Sequence, residues 1–224
     1  MSDGRTFRLG IVPGVNPDRW TRVWAQRIGD VPLVVVPVPA GRAEAELRAG
    51  ALDAALVRLP VDRTDLSAIP LYTEATSVVV PKDHFLTAGD EVAAADLADE
   101  TFVVPADDVL GWADAPGEPF AGEAATTDDA VDLVAAGHAV LVLPHSLARL
   151  HLRKGLTTRP VTDAPGSAVA LAWLTDAYDE LTEELIGIVR GRTANSSRGS
   201  RAPQAAPAPQ RRAQPQPARR KRRR

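Results

Sequence analysis

The 224-residue chain is 45% hydrophobic and 25% charged, and it contains no cysteine. That length allows one large domain or two small lobes around a sizeable core. No apolar run reaches the roughly 18 residues of a membrane helix, and without cysteine neither disulfides nor thiolate metal sites can form. The formal net charge of −3 hides a partition: from Arg190 onward there are 12 basic residues and no acidic one, which leaves 14 basic against 29 acidic residues before it. An acidic body of −15 thus carries a tail of +12. The start, Met1-Ser2-Asp3-Gly4-Arg5, lacks the basic-then-apolar pattern of a secretory signal, so a cytoplasmic protein is expected.

Along the chain, Arg8-Leu9-Gly10-Ile11-Val12 predicts a first strand closed by Pro13-Gly14. Asn16 then caps a helix with Pro17 at its first position. Trp20, Val23, Trp24 and Ile28 form its apolar stripe, with Arg27 at the edge. Residues 31–38 predict a second strand, 43–49 a helix, and 54–57 a third strand. Between the last two, Gly50 stops the helix. The β-α-β-α-β order implies a parallel sheet. Arg58-Leu59-Pro60 follows the third strand, where open α/β folds hold small ligands. Arg58 is either a clamp for an anion or a solvated or salt-bridged arginine.

Further on, residues 69–72 and 76–80 predict extended segments, 92–99 a short helix or turn, and 101–104 another strand. Residues 106–123, rich in Gly, Pro and Asp, read as a loop. Thr126 and Thr127 open a helix running to Ala136, as caps alone or as caps that also touch ligand. Leu133-Val134-Ala135-Ala136-Gly137 leading to Leu141-Val142-Leu143-Pro144 repeats the helix–Gly–strand–Pro grammar, which suggests two lobes with a site between them. A helix over 146–152, a strand over 168–174 and a last helix capped by Asp176 complete the body.

From residue 191 the apolar periodicity ends. Five prolines lie between Pro203 and Pro217. A disordered basic tail is expected over 191–224, since like charges repel and little can be buried. Arg211, Arg212, Arg219, Arg220, Lys221, Arg222, Arg223 and Arg224 are its candidate nucleic-acid contacts, through phosphate neutralisation. The other readings are a solubilising arm, or one drawn to the acidic body or to an anionic membrane surface.

In this order the elements resemble the substrate-binding (co-inducer) domain of LysR-type transcriptional regulators. Leu9-Gly10-Ile11, Leu47 through Gly50 to Ala55, and Pro70-Leu71 carry the first part of the likeness. Val78-Val79-Val80-Pro81-Lys82-Asp83-His84, Asp96-Leu97-Ala98-Asp99, and Val134 through Gly137 to Pro144 carry the rest. The resemblance implies an α/β, two-lobed fold of the type II periplasmic-binding-protein kind over 7–190. Lobe I would be 7–79 plus 157–190, and lobe II 80–156. It implies a small-molecule effector, an organic anion, at Pro13-Gly14-Val15-Asn16, Arg58-Leu59-Pro60 and Thr126-Thr127. It also implies a role in transcription regulation and an antiparallel homodimer. The family's N-terminal helix-turn-helix is not expected here, so no recognition helix is expected to enter a major groove.

No cofactor is expected. His145 and His151 lie six apart, the wrong spacing for one helix face, so no metal is expected either. Pro144-His145-Ser146-Leu147 lacks a nucleophile elbow, and the body is expected not to be an enzyme. The alternatives are an enzyme on the same fold acting on a small organic acid, and a nucleic-acid-associated protein whose cleft is vestigial.

Overall fold

A computed structural model describes residues 4–192 of the chain. The basic stretch beyond Arg192, with its eight candidate nucleic-acid contacts, lies outside the described residues. The strands and helices run β1 (Phe7–Ile11), α1 (Asp18–Arg27), β2 (Leu33–Pro37), α2 (Ala43–Arg48), β3 (Ala54–Arg58), β4 (Leu66–Glu74), β5 (Thr76–Pro81) and β6 (Val92–Ala93). They continue with β7 (Thr101–Phe102), β8 (Glu118–Pro119), α3 (Thr127–Ala135), β9 (Leu141–Pro144), α4 (His145–Leu150), β10 (Leu156–Thr162), β11 (Ser167–Leu174) and α5 (Glu180–Val189).

The first sheet has the order β2-β1-β3-β11-β4. β1 pairs in parallel with both β2 and β3, while β11 is antiparallel to β3 and β4. Pro70 sits on the edge strand β4, where the register slips between Val169 and Ala170; edges and bulges tolerate a residue without an N–H donor. One core serves this half. Phe7, Leu9, Leu56 and Leu171 from the strands join Trp24 of α1, Leu47 of α2 and Leu185 of α5. Trp24 stacks at a tilt on Phe7, 4.9 Å between ring centres, and its indole N–H donates to the Val31 carbonyl at 2.8 Å. A buried indole with its donor satisfied is a packing residue.

The second sheet has the order β6-β10-β5-β9. Its two apolar runs, β5 and β9, are buried on both faces, which explains why they read as continuous rather than alternating. Val79, Leu141 and Leu143 join Ala130, Val131 and Val134 of α3 on one side. Val78, Val80 and Val142 join Leu86, Leu97 and Phe102 on the other. Gly50 and Gly137 end α2 and α3 with one bond pattern: each donates three residues back, to Leu47 and Val134, and the next residue donates to Glu46 and Leu133.

Several expectations need correction. Residues 156–162 form β10, a strand that no sequence cue marked, because Pro160 masks four β-branched residues. Both β5 and β10 belong to the second sheet, so the chain changes sheets between Glu74 and Thr76 and between Thr162 and Ser167, not at 79/80 and 156/157. Asp176 lies in a short 3-10 turn, and Asp179 caps α5 instead, accepting from the Thr182 N–H at 2.8 Å. The start of α1 also shifts: Pro17 is its cap residue, while the Asn16 side chain accepts from the Asp18 N–H at 2.8 Å.

Candidate functional site

The carboxyl ends of β1, β2 and β3 open onto one cavity of about 790 Å³. Chain order 1-2-3 becomes spatial order 2-1-3, so the connections leave β1 in opposite directions. In open α/β sheets this reversal leaves a crevice outside the strand ends, where ligands bind. One wall is Ile11 to Val15 after β1, Pro37 to Arg42 after β2, and Arg58 at the end of β3. The facing wall is Ala106 to Val109, Thr127 at the start of α3, and Leu147, Leu150 and His151 of α4 and its end.

Arg58 is the most constrained charge at this site, with a side chain only 4% exposed. Its Nη1 contacts Glu74 at 3.2 Å and donates to Ser167 Oγ at 2.9 Å. Its Nη2 donates to the Pro13 carbonyl at 3.3 Å and to Ser146 Oγ at 3.1 Å. Ser146 Oγ in turn donates to Glu74 at 2.7 Å. Arg58, Glu74, Ser167 and Pro13 belong to the first-sheet half, and Ser146 to α4, so the cluster spans the two halves. The remaining guanidinium donor, Nε, is buried without a partner among the described residues. Such an orphan costs about 1–3 kcal/mol.

Gly14 makes the cluster geometrically feasible. Its φ is +84°, a left-handed value, and a β-carbon there would lie 2.5 Å from Ser146 Oγ and 3.1 Å from Arg58 Nη2. Any side chain would clash with the groups that hold the halves together.

Of the expected site residues, Pro13, Gly14, Val15, Arg58 and Thr127 line the cavity. The others do not. Asn16 borders a neighbouring hollow with Ser146 and Arg149. The Leu59 N–H is used by the Ala168 carbonyl at 2.9 Å, and Pro60 is exposed. Thr126 acts as a cap: its Oγ1 accepts from the Asp129 N–H at 3.2 Å, and Asp129 reaches back to the Thr126 N–H at 3.0 Å. Thr127 Oγ1 instead donates to Asp107 at 2.9 Å across the facing wall.

Sequence reasoning missed the loop after β2, Asp107 and Asp108, and the α4 residues. The strand-end rule that selected Arg58 reaches the first of these once β2 is ended at Pro37. Nothing local marks the others. Among the histidines, His151 lines the cavity with Nδ1 3.0 Å from Asp128. Hydrogen bonds from His151 and then Arg153 hold the Asp128 carboxyl below its ordinary value. His145 pairs with Ser77 Oγ at 2.9 Å, and His84 lies 3.5 Å from Glu100. No cluster of three potential metal ligands occurs among the described residues, and no described helix is long and apolar enough to cross a membrane.

Residues 2–194 match the family described as the LysR substrate binding domain. A probable hydrogen peroxide-inducible genes activator of Mycobacterium avium is 31% identical over 199 residues, covering 82% of this chain. The chain spans 64% of that relative's length. The Hca operon transcriptional activator HcaR of Escherichia coli K12 is 26% identical over 210 residues, covering 87% of this chain and 70% of the activator. Among solved structures, the BenM effector binding domain with its effector benzoate superposes with a TM-score of 0.68 at 20% identity, covering 83% of this chain and 90% of that one. The reduced OxyR regulatory domain of Pseudomonas aeruginosa gives 0.63 at 24% identity, covering 84% and 95%. The two α/β halves with a cleft between them are therefore the type II periplasmic-binding-protein-like architecture, and the chain belongs to the LysR substrate-binding domain family.

Proposed function

We propose that this chain is a non-enzymatic sensor that holds a small effector in the cavity between its two halves and thereby biases a transcriptional response. The observation that carries the reading is the 790 Å³ cavity at the ends of β1, β2 and β3, closed from the other side by α3, α4 and the 106–109 loop. A ligand bound there shifts whichever arrangement of the halves it contacts better. The halves act as lobes that meet at the Arg58 cluster, and an antiparallel homodimer is the assembly that the family likeness suggests.

An organic anion is the effector class that Arg58 first suggests. Glu74 at 3.2 Å already offsets that charge, however, and the wall is largely apolar, with Ile11, Val12, Val38, Val109, Leu147 and Leu150. An apolar effector without a carboxylate fits these surroundings better. A thiol response to peroxide, which the relatives' names bring to mind, needs a cysteine to oxidise, and the 224 residues contain none.

Calorimetry and thermal shift against a small-molecule library test the reading. A true effector saturates and raises the melting temperature by mass action. Gly41→Phe, in the cavity wall where the α-carbon has open space beside it, should weaken the same hit. A library without a saturable hit, or hits indifferent to Gly41→Phe, would sink it; turnover of a hit would favour an enzyme.

The charge partition favours a second contact. The basic residues from Arg211 to Arg224 neutralise nucleic-acid phosphates with steep salt dependence. Deleting residues 199–224 should abolish retention on DNA at low salt, and equal retention with and without them refutes it.

A further inference from the structure

Five ionisable side chains line the cavity: Arg42, Arg58, Asp107, Asp108 and His151. Each basic member already has an acidic partner that lies outside the wall. Arg58 has Glu74 at 3.2 Å, Arg42 has Glu46 at 3.1 Å, and His151 has Asp128 at 3.0 Å. The two aspartates have no such match among the described residues. Asp108 is tied into its own loop, accepting the Leu110 N–H at 3.0 Å and the Gly111 N–H at 2.9 Å. Asp107 accepts only the Thr127 hydroxyl, on Oδ1, at 2.9 Å. Its second oxygen takes no described donor. The charges of the wall that lack a described counter-ion are therefore both negative, opposite an apolar surface.

We propose that the effector is an organic ammonium compound, an amine on an apolar body, whose N–H groups are read by Asp107 with Asp108 behind it. The inference rests on the effector-binding reading and names the ligand class for the same cavity. A carboxylate in this place would face two like charges without an unmatched cation. An ammonium gains a charge-assisted hydrogen bond at Asp107 while its body covers Leu147 and Val109. Thr127 orients the carboxylate by holding Oδ1, which leaves Oδ2 for the ligand. Because Asp107 is exposed, the pair is partly screened, and the contribution falls with added salt.

Benzylamine, benzyl alcohol and benzoate share one ring and differ in the group presented, so titrating each into the full chain by calorimetry isolates that group. Benzylamine should bind tightest and benzoate weakest, with Kd values about tenfold apart, the size of one half-wet charge-assisted hydrogen bond. Asp107→Asn keeps the acceptor for Thr127 but removes the charge, and should collapse the order. Asp99→Asn, exposed and outside the cavity wall, removes the same charge elsewhere and should leave the order intact. Benzoate binding as tightly as benzylamine, or an order unchanged by Asp107→Asn, overturns the amine while the effector reading stands. Failure of all three probes to saturate overturns the amine alone, because the effector reading answers to the wider library and to Gly41→Phe.

Discussion

The two walls of the cavity are built by different means. The Arg58 wall consists of strand ends anchored in one continuous core, and its central charge is held by four separate partners. In the facing wall Asp107 stands on a loop, and its carboxylate is tied to α3 by a threonine hydroxyl. Groups that must keep the halves in register stand on the sheet, where backbone pairing fixes them. Groups that select a ligand stand on a loop, where they can change without cost to the core.

That contrast is open to direct attack, and Arg58→Ala should do the most damage. It strands the Glu74 carboxylate in a nearly dry setting, for a loss of about 3–5 kcal/mol in urea unfolding. Replacing both partners by apolar residues, Arg58→Met with Glu74→Leu, should recover much of that loss. A harmless Arg58→Ala would remove the basis for calling this wall a frame.

Gly14→Ala comes next, at about 1–3 kcal/mol, from the left-handed backbone and the crowding of Ser146 Oγ. Combined with Ser146→Ala it should cost less than the two single changes together, and thermal denaturation of the set measures the coupling. Strict additivity would mean that the two residues do not share this space.

Asp179→Ala, remote from both walls, should cost about 1 kcal/mol by removing the α5 cap. Burial pushes the Asp179 carboxyl up, but bonds from the Thr182 N–H and hydroxyl and from Arg5 outweigh it, so the folded value lies below the ordinary 3.8. The contribution is complete above that ordinary value and is lost as pH falls through the lower folded one. Unfolding curves of the two proteins should therefore converge in acid, and a gap that widened below pH 4 would contradict the sign.

Asp107→Asn should change stability least, within about 0.5 kcal/mol, while altering ligand preference. A large loss of stability would mean that the loop wall is as structural as the strand wall.

The sequence made the frame more legible than the selector, for a physical reason. Helix stops at Gly50 and Gly137, the cap at Thr126 and the buried run of β3 are local patterns, each decided within about ten residues. Arg58 was found the same way, from its place after a strand. Its partners were not: Ser146 is 88 residues away and Glu74 16, and neither has a neighbour that announces the contact. Asp107 and Asp108 were read only as part of a polar loop, since what sets them apart is the lack of a matching cation, a property of the assembled cavity. Strand β10 escaped because Pro160 reads as a breaker, although its partners Ser77 to Pro81 supply the pairing.

One oxygen atom, Ser146 Oγ, accepts a hydrogen bond from Arg58 of the opposite half and donates one to Glu74 of that same half. Because both partners stand on the first-sheet half, a motion that draws α4 away would lengthen the two bonds at once. Parting the crevice would therefore cost both bonds together, and a guest touching Gly14 or Leu147 would sit beside them.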